Sequence, residues 1–164
     1  MRAGLMVIDM QKAFMEGPAA GSLASAAEYL GAVMPAFRRL GLPVLWVSHR
    51  DAASGLVEGA PGFAWMDGLA PQAGDVSLVK ETGSPFIDLK ALEAVRGLGL
   101  DALVLAGYCA EHCVLATYKH AKDLGLKPAL LRGGLASESR ENIGFVESIC
   151  DLYSYRALLY AIGA

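Results

Sequence analysis

Short runs of Val, Leu and Ile alternate along this chain with helix-length amphipathic segments, and no other feature constrains its fold as strongly. Apolar runs too brief for helices read as strands buried on both faces, and the amphipathic stretches between them read as crossover helices. The pattern predicts an α/β fold, with a mostly parallel sheet of five or six strands between two layers of helices. Strands are expected at Leu5–Ile8, Val44–Val47, Val76–Val79, Ala102–Leu105 and Pro128–Leu131, with a sixth near Leu152–Tyr155. Helices are expected at Ser22–Leu40, closed by Gly41 and Pro43, at Asp88–Leu98, closed by Gly99, at Cys113–Leu124, closed by Gly125, and at Glu138–Cys150. A length of 164 residues suits one domain, 1–164, and a hydrophobic fraction of 54% supplies its core.

The charge balance, 14 basic against 17 acidic residues, leaves a net charge of −3 and no Lys/Arg block to follow a phosphate backbone. Nucleic acid is therefore not an expected partner. The cysteines, Cys109, Cys113 and Cys150, are odd in number and do not read as a disulfide framework, so a reducing, cytoplasmic setting is expected. The apolar run Ala3–Ile8 is broken by Asp9, too soon for a signal-peptide core, and nothing approaches the ~20 apolar residues of a membrane span. Neither export nor a membrane partner is expected. The histidines are His49, His112 and His120. With no C-x-x-C pair beside them, the chain is expected to use no metal and no cofactor.

One interval breaks the alternation. From His49 to Gly74 the chain is punctuated by Gly and Pro and keeps no sustained period. Loops this long inside a compact domain usually serve as lids or partner arms. An exposed loop with one short helix near Phe63–Met66 fits the residues equally well.

In an open parallel α/β sheet, ligands bind outside the carboxyl ends of the strands, so the residues closing each strand are the first candidates for chemistry. Asp9 closes the first strand, Lys80 the third, and the fourth runs through Gly107 into a turn that delivers Cys113 at a helix start. A thiol there, near an ammonium, is expected to ionise near neutral pH and act as the nucleophile. Asp9 can hold Lys80, take the thiol proton and return it to a leaving amine. Backbone N–H groups between Gly107 and Cys113 are placed to hold an oxyanion. Taken singly, each residue has an ordinary explanation: a small core cysteine, a capping aspartate, a solvated lysine. Their conjunction at three strand ends carries the reading.

Three segments, V-I-D-M-Q (Val7–Gln11) with Phe14 beyond it, V-K-E-T-G-S-P-F (Val79–Phe86) and L-A-G-Y-C-A-E-H-C-V-L-A-T (Leu105–Thr117), resemble the signatures of the isochorismatase-like cysteine hydrolases. The similarity runs from Leu5 to about Gly134, and S-H-R-D (Ser48–Asp51) is like the metal-free branch. The resemblance implies a Rossmann-like three-layer α/β/α fold and a triad of Asp9, Lys80 and Cys113. It also implies a cis peptide between Tyr108 and Cys109, an oxyanion hole from the N–H groups of Cys109 and Cys113, and a pocket wall including Phe14 and Tyr108. Family members usually assemble as dimers or tetramers, so a homo-oligomer is implied as well.

Two departures from the family pattern matter. Ala110 stands where Thr is usual, removing a hydroxyl that would fix the loop, and Asp51 lacks the His two residues on that metal-using nicotinamidases carry. The combined expectation is a cysteine hydrolase cleaving an amide, carbamoyl or ureido C–N bond of a small molecule through a thioester at Cys113. Two alternatives stay open: a scaffold or binding protein with the same fold and no turnover, and a nicotinamidase with unconventional metal ligands.

Overall fold

The computed structural model describes residues 1–164. Six strands, β1 (Ala3–Ile8), β2 (Val44–His49), β3 (Val76–Lys80), β4 (Ala102–Gly107), β5 (Pro128–Leu135) and β6 (Leu152–Tyr153), form one sheet in the order β3-β2-β1-β4-β5-β6. All neighbours run parallel. Five α-helices cover it: α1 (Ala20–Arg39), α2 (Leu89–Gly97), α3 (Leu115–Asp123), α4 (Arg140–Ile149) and α5 (Tyr155–Ile162). The central strands β1 and β4 are buried along their whole length, which is why they read as unbroken apolar runs. Edge strand β3 instead alternates between half-buried and exposed residues until Lys80.

One core packs α1 and α5 on the sheet through Leu23, Leu30, Phe37, Trp46, Leu158 and Ile162. The opposite core joins Met6, Ile8, Leu103 and Leu105 to α2, α3 and α4 through Leu92, Val95, Tyr118 and Val146. The three layers follow from burying an apolar stripe on each helix against one face of the sheet. The chain reverses its winding direction after β3, crossing through α2 from the edge to the far side of β1. The crevice between the ends of β1 and β4 is thus the switch point at which such sheets bind ligands.

The last helix was not foreseen. The sixth strand stops at Tyr153, and Ser154 caps α5 through its side chain. Tyr155 packs edge-on to Tyr29 with ring centroids 5.9 Å apart, whereas Tyr160 stands 90% exposed. The predicted third helix starts differently too: a π-type turn (Ala110–Val114) holds Cys113, and α3 begins only at Leu115. Cys150 lies just past the end of α4.

The segment from His49 to Gly74 is a strap laid across the molecule. Lys12 N–H donates to Ala64 O at 2.8 Å and Met66 N–H to Met10 O at 3.0 Å. Trp65 packs edge-on to buried Trp46 at 4.9 Å between centroids. The strap holds two short 3-10 pieces, Ala52–Ser54 and Pro61–Phe63, the second lying earlier than the expected Phe63–Met66 because Pro61 presets the first φ. No helix is long and apolar enough to cross a membrane.

Candidate active site

Parallel pairing in register brings the strand ends together. Asp9 follows β1 with its N–H on Val47 O at 2.8 Å, and Tyr108 follows β4 with its N–H on Ile8 O at 2.9 Å. Asp9 adopts a left-handed conformation with φ 52°, which Asp tolerates better than most side chains and which turns the carboxylate across the strand ends. Lys80 closes β3, the edge strand two places from β1, and reaches Asp9 at the end of β1. Its Nζ lies 2.7 Å from Asp9 Oδ2 and donates to Cys113 Sγ at 3.3 Å. The Lys80 and Asp9 side chains are 1% and 2% exposed, so the two charges neutralise one another out of contact with water. The structure thus joins all three residues that the sequence placed at strand ends.

Burial shapes the chemistry of this group. Desolvation raises the Asp9 carboxyl above its ordinary range, against the opposing pull of Lys80. Burial, then the Asp9 carboxylate, push the Cys113 thiol up to about 11, while Lys80 pulls it down. The sequence expectation of a thiolate near neutral pH is corrected here. Lys80 is already neutralised by Asp9, so a thiolate would add an uncompensated buried charge, and Cys113 sits inside the π-type turn rather than at its first N–H groups. At neutral pH Cys113 therefore rests as a thiol, with the Asp9 carboxylate beside it. Iodoacetamide alkylation of Cys113, followed by mass spectrometry, is expected to accelerate about tenfold per pH unit from pH 7 to 10. A plateau by pH 8 would contradict this.

The loop carrying Cys113 is fixed from three sides. Ala110 N–H donates to Ala136 O at 2.8 Å and Thr117 Oγ1 donates to Cys113 O at 2.6 Å. Glu111 Oε1 accepts from Ser137 Oγ at 2.9 Å and Asn142 Nδ2 at 2.6 Å. This carboxylate ties the turn to the segment just after β5 and to α4, so the loop is held although Ala110 offers no hydroxyl. The Tyr108–Cys109 peptide is cis, and the Cys109 N–H donates to no group of the chain. Phe14 and Tyr108 stack on each other, with centroids 5.0 Å apart and planes at 37°. They stand outside the open depression of about 400 Å³ on which Cys113 borders, which Gly83, Glu111, His112, Leu115 and Lys119 help to line.

The structure adds residues that the sequence reading missed. His49 closes β2 and places Nδ1 3.3 Å from Lys80 Nζ. The strand-end argument would have found it had β2 been extended beyond Val47. Gln11, fully buried, bonds both backbone groups of His49: its Oε1 accepts from His49 N–H at 2.7 Å and its Nε2 donates to His49 O at 3.1 Å. The π-type turn also brings ligand atoms of Cys109, Glu111 and His112 within 4.8 Å of one another, a grouping formed without a C-x-x-C pair. Glu111 is already engaged there by Ser137 and Asn142. Asp51 caps its own turn, accepting from Ala53 N–H at 3.0 Å.

The isochorismatase domain profile matches residues 3–143. The chain belongs to the isochorismatase family. It is 32% identical over 88 residues to maleamate amidohydrolase of Pseudomonas putida, a match covering 54% of this chain and 41% of that enzyme. It therefore spans well under two thirds of that relative's length. N-carbamoylsarcosine amidase from Thermoplasma acidophilum superposes with a TM-score of 0.79 at 25% identity, over 94% of this chain and 97% of that one. An isochorismatase from Pseudomonas putida superposes at 0.83 with 22% identity, over 94% and 89% of the chains, and shares the fold.

Proposed function

We propose that this isochorismatase-family chain is a cysteine amidohydrolase that cleaves an amide, carbamoyl or ureido C–N bond of a small molecule through a thioester at Cys113. One observation carries the reading: a buried Lys80 within hydrogen-bonding distance of both Asp9 and Cys113. A structural ion pair needs no thiol on its ammonium, and a buried polar cluster is costly unless every member is satisfied. Two relatives named for amide chemistry, the maleamate amidohydrolase and the N-carbamoylsarcosine amidase, support the same reaction class.

The Asp9 carboxylate raises the Cys113 thiol, and Asp9 Oδ1, buried, has no hydrogen-bond partner of its own, so it is open to receive a proton. As Cys113 Sγ bonds to the substrate carbonyl carbon, its proton passes to Asp9. The carbonyl oxygen becomes an oxyanion between the N–H groups of Cys109 and Cys113. The tetrahedral adduct collapses, the C–N bond breaks, and Asp9 gives its proton to the leaving nitrogen, releasing ammonia or an amine. Water then attacks the thioester as Asp9 takes its proton; the C–S bond breaks, the acid leaves and the thiol is restored. Lys80 balances charge throughout. No step calls on a metal.

The test uses ammonia release in the presence of EDTA, with maleamate, N-carbamoylsarcosine and simple linear amides and ureido acids as candidates. Release is expected to persist under chelation and to fall in proportion to the fraction of Cys113 alkylated. Turnover that survives complete labelling of Cys113 would overturn the covalent route, and turnover lost to EDTA and restored by zinc would favour the metal-dependent alternative.

A further inference from the structure

The Lys80 ammonium has three N–H bonds and three acceptors around it: Asp9 Oδ2 at 2.7 Å, Cys113 Sγ at 3.3 Å and His49 Nδ1 at 3.3 Å. Two of these take part in the proposed reaction, and the third does not. A buried ammonium is costly with any N–H unpaired, and a flexible four-carbon stem does not fix its orientation. The third acceptor therefore decides where the N–H aimed at sulfur points. Lysine has no acceptor, so the His49 nitrogen facing it must be the bare one, which puts the ring proton on Nε2.

The backbone of His49 is held as firmly as its ring. Gln11 accepts from His49 N–H and donates to His49 O, and its Nε2 also donates to Phe63 O at 3.2 Å in the strap. Gln11 lies two residues beyond Asp9, so one short segment after β1 carries the acid and sets the position of the histidine on the neighbouring strand. Lys80 and Asp9 face His49 from within, and Asp51 and Glu81 act on it from the rim. Burial and Lys80 hold the imidazole below its ordinary pKa, in the neutral form the bond requires.

We infer that His49 is a positioning residue of this site: its Nδ1 holds the third N–H of Lys80 so that the ammonium stays aimed at Asp9 and Cys113 Sγ, while Gln11 clamps its backbone. The role rests on the proposed hydrolysis for its purpose, but its readout needs no substrate. In His49→Leu and in His49→Met the N–H loses its acceptor, the bond to sulfur loosens, and Cys113 alkylation by iodoacetamide at pH 8.5 slows about fivefold or more. His49→Asn carries an amide oxygen to the place of Nδ1 and returns the rate to within about twofold of the parent. Thermal melts check that each variant is folded, and the two apolar replacements guard against one of them failing to fold. With a substrate in hand, kcat falls in the apolar variants at unchanged KM and recovers in His49→Asn. Apolar variants that label at the parental rate, or an Asn variant as slow as they are, would overturn the inference. If no compound yields ammonia, the hydrolytic reading fails and the labelling contrast still decides the role of His49.

Discussion

Asp9→Asn is expected to lower turnover by ~10²- to 10⁴-fold while the protein remains folded, because general acid-base help of this kind contributes about that much. Asn is among the few residues that accept the left-handed backbone found at Asp9, so the substitution adds no strain at φ 52°. Its amide oxygen can still accept from Lys80, which lies 2.7 Å from Asp9 Oδ2. What it cannot do is take the thiol proton or return it to a leaving nitrogen. The same change removes a carboxylate that pushes the Cys113 thiol upward, so alkylation of Cys113 is expected to become faster than in the parent. Lost ammonia release with accelerated labelling is the combination to look for. Turnover within a few-fold of the parent would place the proton shuttle elsewhere. Glu111 is poorly placed to take over, since its carboxylate is held by Ser137 and Asn142.

Gly107→Ala acts on the frame instead of the chemistry and is expected to destabilise the fold by about 4 kcal/mol or more, a large part of a typical domain's stability. At this position φ is +119°, and a Cβ would lie 2.1 Å from Ile8 O and 2.8 Å from Ile8 N. Neither strand can retreat. Ile8 and Gly107 are paired in the centre of the sheet, and the same Ile8 carbonyl accepts the Tyr108 N–H at the start of the loop that carries Cys113. A side chain here must therefore pry apart β1 and β4 at the switch point and displace Asp9 and Cys113 together. Urea unfolding measures it: a strongly lowered midpoint or insoluble protein is expected, and an unfolding free energy within about 1 kcal/mol of the parent would show that the strand pair yields easily.

The sequence by itself determined the layers of the fold and three points of its site. Six strands and four helices were legible because burying a strand on both faces demands an unbroken apolar run, and burying one face of a helix demands a stripe, both local properties of the chain. Asp9, Lys80 and Cys113 were legible because polar residues at the ends of such runs are conspicuous. The final helix was obscured by Tyr153 and Tyr155, which suit a strand as well as a helix until Ser154 caps the turn between them. What only the tertiary structure decided are effects of distance and burial between remote residues. Ala110 left the loop without its hydroxyl, and Glu111 reached Ser137 and Asn142 to fix it across 26 and 31 residues of sequence. Cys113 was read as acidic from its neighbours' charges, yet removal of water raises its pKa, because desolvation acts on the whole site while Lys80 is already spoken for by Asp9. His49 and Gln11 stood within quoted motifs, but nothing local gave them a task. Their roles come from 3.3 Å to an ammonium 31 residues away and from two backbone bonds spanning 38, relations that exist only once β1, β2 and β3 lie side by side.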